Sequence, residues 1–151
     1  MTPSVNERTV PPGDDTYLEQ TWKLKERIRR SDGVLKQPRA YFETEYRQET
    51  VYLLLLPDDH NQVIAFAVMH ANGYLSLLGV APEHRRKGLG TRLIQLLLND
   101  HSVITCHTRA TNQEARRFYL HDGFTVQRRI DDYYPDGTAA LSLRLDRAKG
   151  G

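Results

Sequence analysis

Val80-Ala81-Pro82-Glu83-His84-Arg85-Arg86-Lys87-Gly88-Leu89-Gly90 joins an apolar run ending at Val80 to an apolar-periodic run starting at Leu89, with three cations and two glycines near its end. Read physically, this is a strand, a tight basic loop and the N-terminus of a helix. Such a junction presents unpaired backbone N–H groups at the positive end of a helix dipole, which suits a phosphate. Gly88 and Gly90 are expected to tolerate positive φ and to let the backbone approach a ligand without a Cβ in the way. Arg85, Arg86 and Lys87 add charge around a pyrophosphate. The stretch contains no G-x-x-x-x-G-K-[ST] and no G-x-G-x-x-G; what it does contain is R-x-x-G-x-G, formed by Arg85, Gly88 and Gly90. On this stretch alone, an ordinary basic turn ahead of a helix stays open.

The periodicities on either side set out a mixed chain. Val5 to Val10 reads as a short edge strand ahead of Pro11-Pro12-Gly13. Asp15 to Arg30 reads as a helix with Leu18, Trp22, Leu24 and Ile28 as its apolar set, broken by Ser31-Asp32-Gly33. Glu19 with Lys23 and Glu26 with Arg30 are expected i,i+4 pairs, and the cations Lys23, Lys25, Arg27, Arg29 and Arg30, interleaved with acids, read as a solvated face. Pro38 starts a second helix reaching about Tyr46. Strands follow over Thr50–Leu56, closed by Pro57-Asp58-Asp59, then over Val63–His70 and Tyr74–Val80, with Ala71-Asn72-Gly73 as a hairpin turn.

After the glycine loop, a helix is expected to bury Leu89, Leu93, Leu96 and Leu97 and to end at Asn99-Asp100. Val103–Thr108 is the next strand. Thr111-Asn112-Gln113-Glu114 spells a capping box with Thr111 as N-cap, opening a helix that stops at Gly123. Thr125–Ile130 and Ala139–Leu145 are the last strands, and the tail after Arg147 is expected to fray. The order implies an α/β layered domain around one mixed sheet with a strand–helix–strand crossover in the middle.

Bulk properties narrow the function. A chain of 151 residues with 39% apolar and 26% charged residues is expected to be one soluble domain, residues 1–151. A formal charge of +2 is too small to argue for nucleic acid. The single cysteine, Cys106, excludes an internal disulfide and offers no zinc cluster, so no metal is expected. The apolar run Val51–Leu56 is far short of the ~20 residues that span a bilayer. Pro3, Asn6, Glu7 and Arg8 interrupt the N-terminus where a signal peptide has its apolar core, so the expected location is the cytoplasm.

The motif Arg85, Gly88, Gly90, with Val80-x-Pro82 before it, resembles the acetyl-coenzyme A loop of the GNAT N-acetyltransferase superfamily. Asn112-x-x-Ala115-x-x-Phe118-Tyr119-x-x-x-Gly123-Phe124 is similar to the second coenzyme A motif of the same family, at the expected distance downstream. The resemblance runs from about Val63 to Leu145 and is weak before Thr50. It implies a central mixed sheet of about six to seven strands flanked by about four helices. It implies acetyl-CoA as cosubstrate, with Leu78, Gly79 and Val80 on the pantetheine arm and acetyl carbonyl, the Arg85–Thr91 segment (Arg85, Arg86, Lys87, Gly88, Leu89, Gly90, Thr91) at the pyrophosphate, and Asn112 and Tyr119 as further contacts.

It also implies roles in catalysis. A tyrosine at the position of Tyr119 protonates the leaving thiolate in the family, which its ordinary pKa of ~10 permits. His107 and Tyr74 match a histidine–tyrosine pair of some eukaryotic protein N-terminal acetyltransferases, acting as base through a water; ribosomal-protein alanine acetyltransferases, which the chain most resembles, carry a glutamate at the position of His107. A core aromatic (Tyr119), a strand histidine (His107) and a sheet aromatic (Tyr74) remain the plain structural alternatives. His70, His84, His101 and His121 have only loop or surface readings.

Tyr133-Tyr134-Pro135-Asp136-Gly137-x-x-Ala140 resembles the hairpin by which protein N-terminal acetyltransferases hold the substrate backbone, with Ala139 in place of an acid and Leu143 in place of a common methionine. Gln37-Pro38-Arg39-Ala40-Tyr41 echoes a substrate loop in which Arg39 would favour an acceptor with an acidic or polar first residue. The implied reaction is acetyl transfer to the α-amine of a protein or peptide N-terminus, by direct attack in a ternary complex, in a monomer or homodimer. A small-amine acetyltransferase acting on a polyamine, amino acid or aminoglycoside is an alternative, as are a toxin acting on aminoacyl-tRNA and a coenzyme A-binding regulatory module without turnover.

Overall fold

Two nearly unbroken apolar runs, Val51–Leu55 and Val63–Met69, are buried on both faces, and they form the centre of the molecule. The structure, a computed structural model, describes residues 4–57 and 60–148; Asp58-Asp59 of the expected turn and the end of the tail lie outside them. The elements in order are β1 (Asn6–Val10), α1 (Leu18–Asp32), α2 (Arg39–Gln48), β2 (Thr50–Leu56), β3 (Gln62–Met69), β4 (Leu75–Val80), α3 (Leu89–Asp100), β5 (Val103–Arg109), α4 (Gln113–His121), β6 (Thr125–Ile130) and β7 (Ala140–Asp146), with one 3₁₀ turn at Pro82–His84. This is a mixed α/β fold with seven strands and four helices among the described residues.

The expected single ladder is divided. β1-β2-β3-β4 form one antiparallel set and β5-β7-β6 another. They are joined by one parallel bridge, Tyr74 to Thr105, where the Thr105 N–H donates to the Gly73 carbonyl at 3.0 Å. Gly73, at φ +90°, admits no side chain, since a Cβ would lie 2.4 Å from the Val103 carbonyl oxygen. Beyond that point β4 and β5 part. β4 also carries an extra residue: Met69 pairs with Leu75 and Val68 with Leu77, leaving Ser76 as a bulge that bends the strand.

Helices cover both faces. Phe66 of β3 packs on Phe42 of α2, and its cross-strand partner Gly79 sits under Ile28 of α1. On the opposite face the Tyr52 hydroxyl donates to Asp100 of α3 at 2.6 Å. In α3 the buried set is Leu89, Leu93, Ile94 and Leu97, with Leu96 only partly covered. α4 lies against α3: a Cβ on Gly90 would meet the Phe118 ring at 2.8 Å, so this glycine permits helix–helix contact. α1 runs to Asp32, two residues beyond the expected end at Arg30, and is closed by Gly33 of the expected Ser31-Asp32-Gly33 break, in the left-handed conformation.

Two electrostatic expectations for α1 are corrected. Glu19 pairs with Arg39 of α2, and Glu26 takes Arg29 and Lys25, so neither expected i,i+4 pair forms. Lys25 does not belong to a solvated face; it is fully buried, with its ammonium bonded to the Gln37 carbonyl and Glu26 and lying 4.8 Å from the centre of the Trp22 ring. Burial pulls its pKa below the ordinary lysine value. Lys25 thereby fastens α1 to the segment before α2.

Lys25→Met keeps the stem and leaves the Gln37 carbonyl unpaired, so stability is expected to fall by about 1–3 kcal/mol in denaturant titration. Gly90→Ala forces the Phe118 ring away and is expected to cost about 1–3 kcal/mol, with Phe118→Leu in the same chain recovering most of the loss.

Candidate active site

The glycine loop is shaped by its own arginine. Arg85 Nε and Nη2 both donate to the Val80 carbonyl at 3.3 Å, and Nη2 pairs with Asp32 of α1 at 2.6 Å. The side chain expected to add charge at a pyrophosphate therefore ties the loop to the end of β4 and the end of α1. Arg86, at φ +61°, and Lys87 have no ion-pair partner among the described residues. Gly88, at φ +78°, is the N-cap of α3, and no side chain caps that helix. The N–H groups of the first turn, Leu89, Gly90 and Thr91, are thus available to an anion. The Thr91 hydroxyl is committed to Asp122 at 3.0 Å. Gly79 answers to packing, since a Cβ there would lie 2.7 Å from the Ile28 side chain.

β5 alternates between two environments. Ile104, Cys106 and Thr108 are buried, while Thr105, His107 and Arg109 are half-buried on the other face. On the buried face, Tyr119 of α4 lies at Cys106 with its ring against Phe118 and Phe124. Tyr119 is 8% exposed, and burial raises its hydroxyl well above the ordinary tyrosine value. Burial likewise pushes the Cys106 thiol up to about 12, leaving it unreactive as a nucleophile near neutral pH. Asn112, not Thr111, is the N-cap of α4: its Oδ1 accepts from the Ala115 N–H at 3.1 Å. The cap falls one residue late because Ala115 then occupies the third helical position, and the expected capping box does not form. The Asn112 Nδ2 has no part in the cap and can serve a ligand.

On the other face the Tyr74 hydroxyl lies 2.9 Å from His107 Nδ1. Burial raises Tyr74 above its ordinary value, so it stays a phenol with a proton that it can donate to Nδ1. Burial, with Arg128 adding to it, lowers His107 below ~6.5, so the ring is neutral at pH 7, and in the tautomer that accepts from Tyr74 its own proton is on Nε2. Tyr133 stacks on the same imidazole, ring centres 4.9 Å apart at 21°, and is itself 43% exposed. Tyr134 lies beneath the Arg109 guanidinium at 4.1 Å, and Arg109 Nη1 holds Asp136 at 2.9 and 3.0 Å. These contacts brace the β6–β7 connection against β5. A cavity of about 330 Å³ opens here, lined among others by Asp32, Lys36, Arg109, Asn112 and Asp136.

The fold therefore brings Tyr74, His107, Tyr133 and Tyr134 together at the β4–β5 gap, with Tyr119 at Cys106 close enough to Tyr74 and Tyr134 to be raised by them after burial, and with Asn112 on the cavity it shares with Arg109 and Asp136. Arg39 is not among them: its partners are Glu19, Glu43 and the Trp22 ring. Three further residues adjoin the site: Tyr41, which belongs to the substrate-loop echo, and Glu45 and His70, which no motif marks. Tyr41, 46% exposed, is close enough to Glu45 and Tyr133 to be raised by them after burial. Glu45 accepts from His70 Nε2 at 2.8 Å, and the His70 ring stands edge-on to Tyr74 at 5.6 Å. His70 thus has a role beyond a surface loop. The only trace of this in the sequence is the i,i+4 spacing of Tyr41 and Glu45.

The chain matches the model of the acetyltransferase (GNAT) family over residues 18–124. N-alpha-acetyltransferase 30 of Xenopus laevis is 34% identical over 82 residues, covering 51% of this chain and 30% of that protein. N-alpha-acetyltransferase 60 of Drosophila melanogaster is 41% identical over 70 residues, covering 41% of this chain and 25% of that protein. The match therefore spans less than a third of either relative. Among solved structures, the ribosomal-protein-S18-alanine N-acetyltransferase from Escherichia coli superposes with a TM-score of 0.75 at 20% identity, over 97% of each chain, which is a likeness of fold. With the glycine loop between β4 and α3 and a parted sheet beside it, this match places the chain in the acetyltransferase (GNAT) family.

Proposed function

We propose that the chain is an acetyl-CoA-dependent N-acetyltransferase acting on the α-amine of a protein or peptide N-terminus. The observation that carries this reading is the arrangement about the β4–β5 gap, with a protonated tyrosine on one face and a phenol–imidazole pair on the other. Acetyl transfer to an amine requires a proton to leave the nucleophile and another to reach the departing thiolate. The gap is a place where donor and acceptor can meet while two separate sets of side chains handle the two protons.

The residues present fit acetyl-CoA, which supplies the acetyl group as a thioester. The free N–H groups of Leu89, Gly90 and Thr91, with Arg86 and Lys87, suit a diphosphate. The backbone of Leu78, Gly79 and Val80 faces the gap without a strand partner on that side among the described residues, and would hold an amide-bearing arm by strand-like hydrogen bonds. The Asn112 Nδ2 adds one donor. Arg85 acts at one remove, by setting the loop.

On the acceptor side, the Tyr74 oxygen takes a proton from the incoming ammonium through a water, as its own proton passes to His107 Nδ1. The neutral amine then attacks the thioester carbonyl, the C–S bond breaks, the Tyr119 hydroxyl delivers its proton to the sulfur, and the second proton lost by the attacking nitrogen as the amide forms restores the Tyr119 phenol through solvent. Tyr133 and Tyr134 form the exposed wall along which a peptide backbone would lie. The relatives named N-alpha-acetyltransferase support a protein N-terminus as acceptor. A preference for an acidic first residue finds no support at Arg39, whose charge is already offset by Glu19 and Glu43.

Thiol release from acetyl-CoA is expected with short peptides and not with spermidine or free amino acids; turnover with small amines alone would overturn the acceptor class. Tyr119→Phe is expected to lower kcat by about 10²- to 10⁴-fold while acetyl-CoA still binds in calorimetry, and an unchanged kcat would remove the acid role. Because His107 must be neutral to accept a proton, kcat/KM is expected to be flat above neutrality. It should fall as pH drops through an apparent pKa below ~6.5, a limb that His107→Ala abolishes.

A further inference from the structure

Tyr74 is held from a direction that none of the motifs marks. Glu45 projects from α2 with its side chain only 14% exposed, and one oxygen, Oε2, accepts from the Ser76 hydroxyl at 2.9 Å and from His70 Nε2 at 2.8 Å. Ser76 is the extra residue of the β4 bulge, and its hydroxyl also reaches the Val68 carbonyl at 3.4 Å. His70 closes the other side of the turn: its N–H donates to the Tyr74 carbonyl at 2.9 Å and its ring meets the Tyr74 ring edge-on. One carboxylate on a helix thus grips the hairpin four residues before Tyr74 and two residues after it.

The bulge makes this grip necessary. An extra residue interrupts the β3–β4 ladder at Ser76, next to the point where β4 leaves β5, and bends the strand just after Tyr74. Cross-strand hydrogen bonds alone leave the direction of the Tyr74 ring to the twist of a short segment. A buried carboxylate bonding to both flanks removes that freedom. Neither Glu45 nor its neighbour Glu49, which lies 3.8 Å from His70 Nδ1, has a Lys or Arg partner among the described residues. By contrast Glu43 on the same helix pairs with Arg39 and Arg47.

We propose that Glu45 is a positioning residue for the acetyl-transfer reaction, holding the Tyr74 hydroxyl on His107 Nδ1 through His70 and Ser76. This rests on the reading of Tyr74 and His107 as the proton acceptor. Around His107 the facing groups are Tyr74 of β4, Tyr133 of the β6–β7 connection and Arg128 of β6. Around Glu45 they are Tyr41, His70 and Ser76, with Glu49 beyond His70. A hydrogen bond from the phenol to Nδ1 favours the neutral imidazole, so its loss moves the His107 titration upward.

The test is the NMR titration of the His107 ring in the protein without acceptor, read beside steady-state turnover. Glu45→Ala is expected to move the His107 midpoint upward, burial and Arg128 still holding it below the ordinary value, and to lower kcat by about 10-fold or more, with KM for acetyl-CoA within about 2-fold. Glu45→Gln retains an acceptor oxygen and is expected to restore the wild-type midpoint. Ser76→Ala, which removes one of the two grips and disturbs folding least, is expected to give a smaller shift in the same direction. Tyr74→Phe is expected to reproduce the full shift, with no further change when combined with Glu45→Ala, since both act through one hydrogen bond. An unmoved His107 midpoint in both Glu45→Ala and Ser76→Ala overturns the proposal. A shifted midpoint in a protein that acetylates nothing would overturn the functional reading and leave the positioning role standing.

Discussion

Backbone hydrogen bonding between β4 and β5 stops after a single bridge at Tyr74 and Thr105, and the rest of the site depends on that interruption. A parallel pair in the middle of a sheet is ordinarily closed along its length, because unpaired buried N–H and C=O groups are costly. Here the two strands part, and the exposed edge of β4 is left to a ligand. The bulge at Ser76, the close approach of Gly73 to the Val103 carbonyl and the Arg85 clamp on Val80 fix where the parting begins and how the loop beyond it runs. The gap is therefore built by backbone geometry, with side chains added on either face.

Those side chains divide by the alternation of β5. Cys106 and His107 are neighbours in sequence yet look into different compartments, one against α4 and the other towards α2 and the β6–β7 connection. The proposed proton donor and the proposed proton acceptor then lie by different faces of one strand. On the α4 face, burial keeps Tyr119 a phenol. On the other, partial burial keeps His107 neutral beside a phenol that also stays protonated. Both effects come from desolvation, which disfavours the charged form whichever sign it carries.

Several polar groups that look like surface chemistry instead hold the frame. Lys25 fastens α1 to Gln37, Arg85 fastens the loop to α1, and Glu45 fastens α2 to the hairpin that carries Tyr74. Each joins two elements that no strand ladder connects. Arg39, offered by its loop position as a selector of acceptors, belongs to the same class through Glu19 and Glu43.

Periodicity and turn chemistry are local properties, so the order of strands and helices, the glycine loop and the helix carrying Asn112 and Tyr119 could be read directly from the chain. Burial of Val51–Leu55 and Val63–Met69 and the left-handed glycines at 33, 73 and 88 follow from the same local rules. The division of the sheet could not be read, because it turns on a one-residue bulge at Ser76 whose cause is register with β3. Nor could the fate of the charges: an ion pair is decided by what lies opposite in space, which gave Lys25, Arg39 and Arg85 partners 12, 20 and 5 residues away, with Asp32 as a further one for Arg85. Glu45 and His70 carry no motif at all. Sequence by itself determined which residues could donate, accept or cap; tertiary structure alone decided which of them meet, since hydrogen bonds and desolvation act over a few ångströms whatever the separation along the chain.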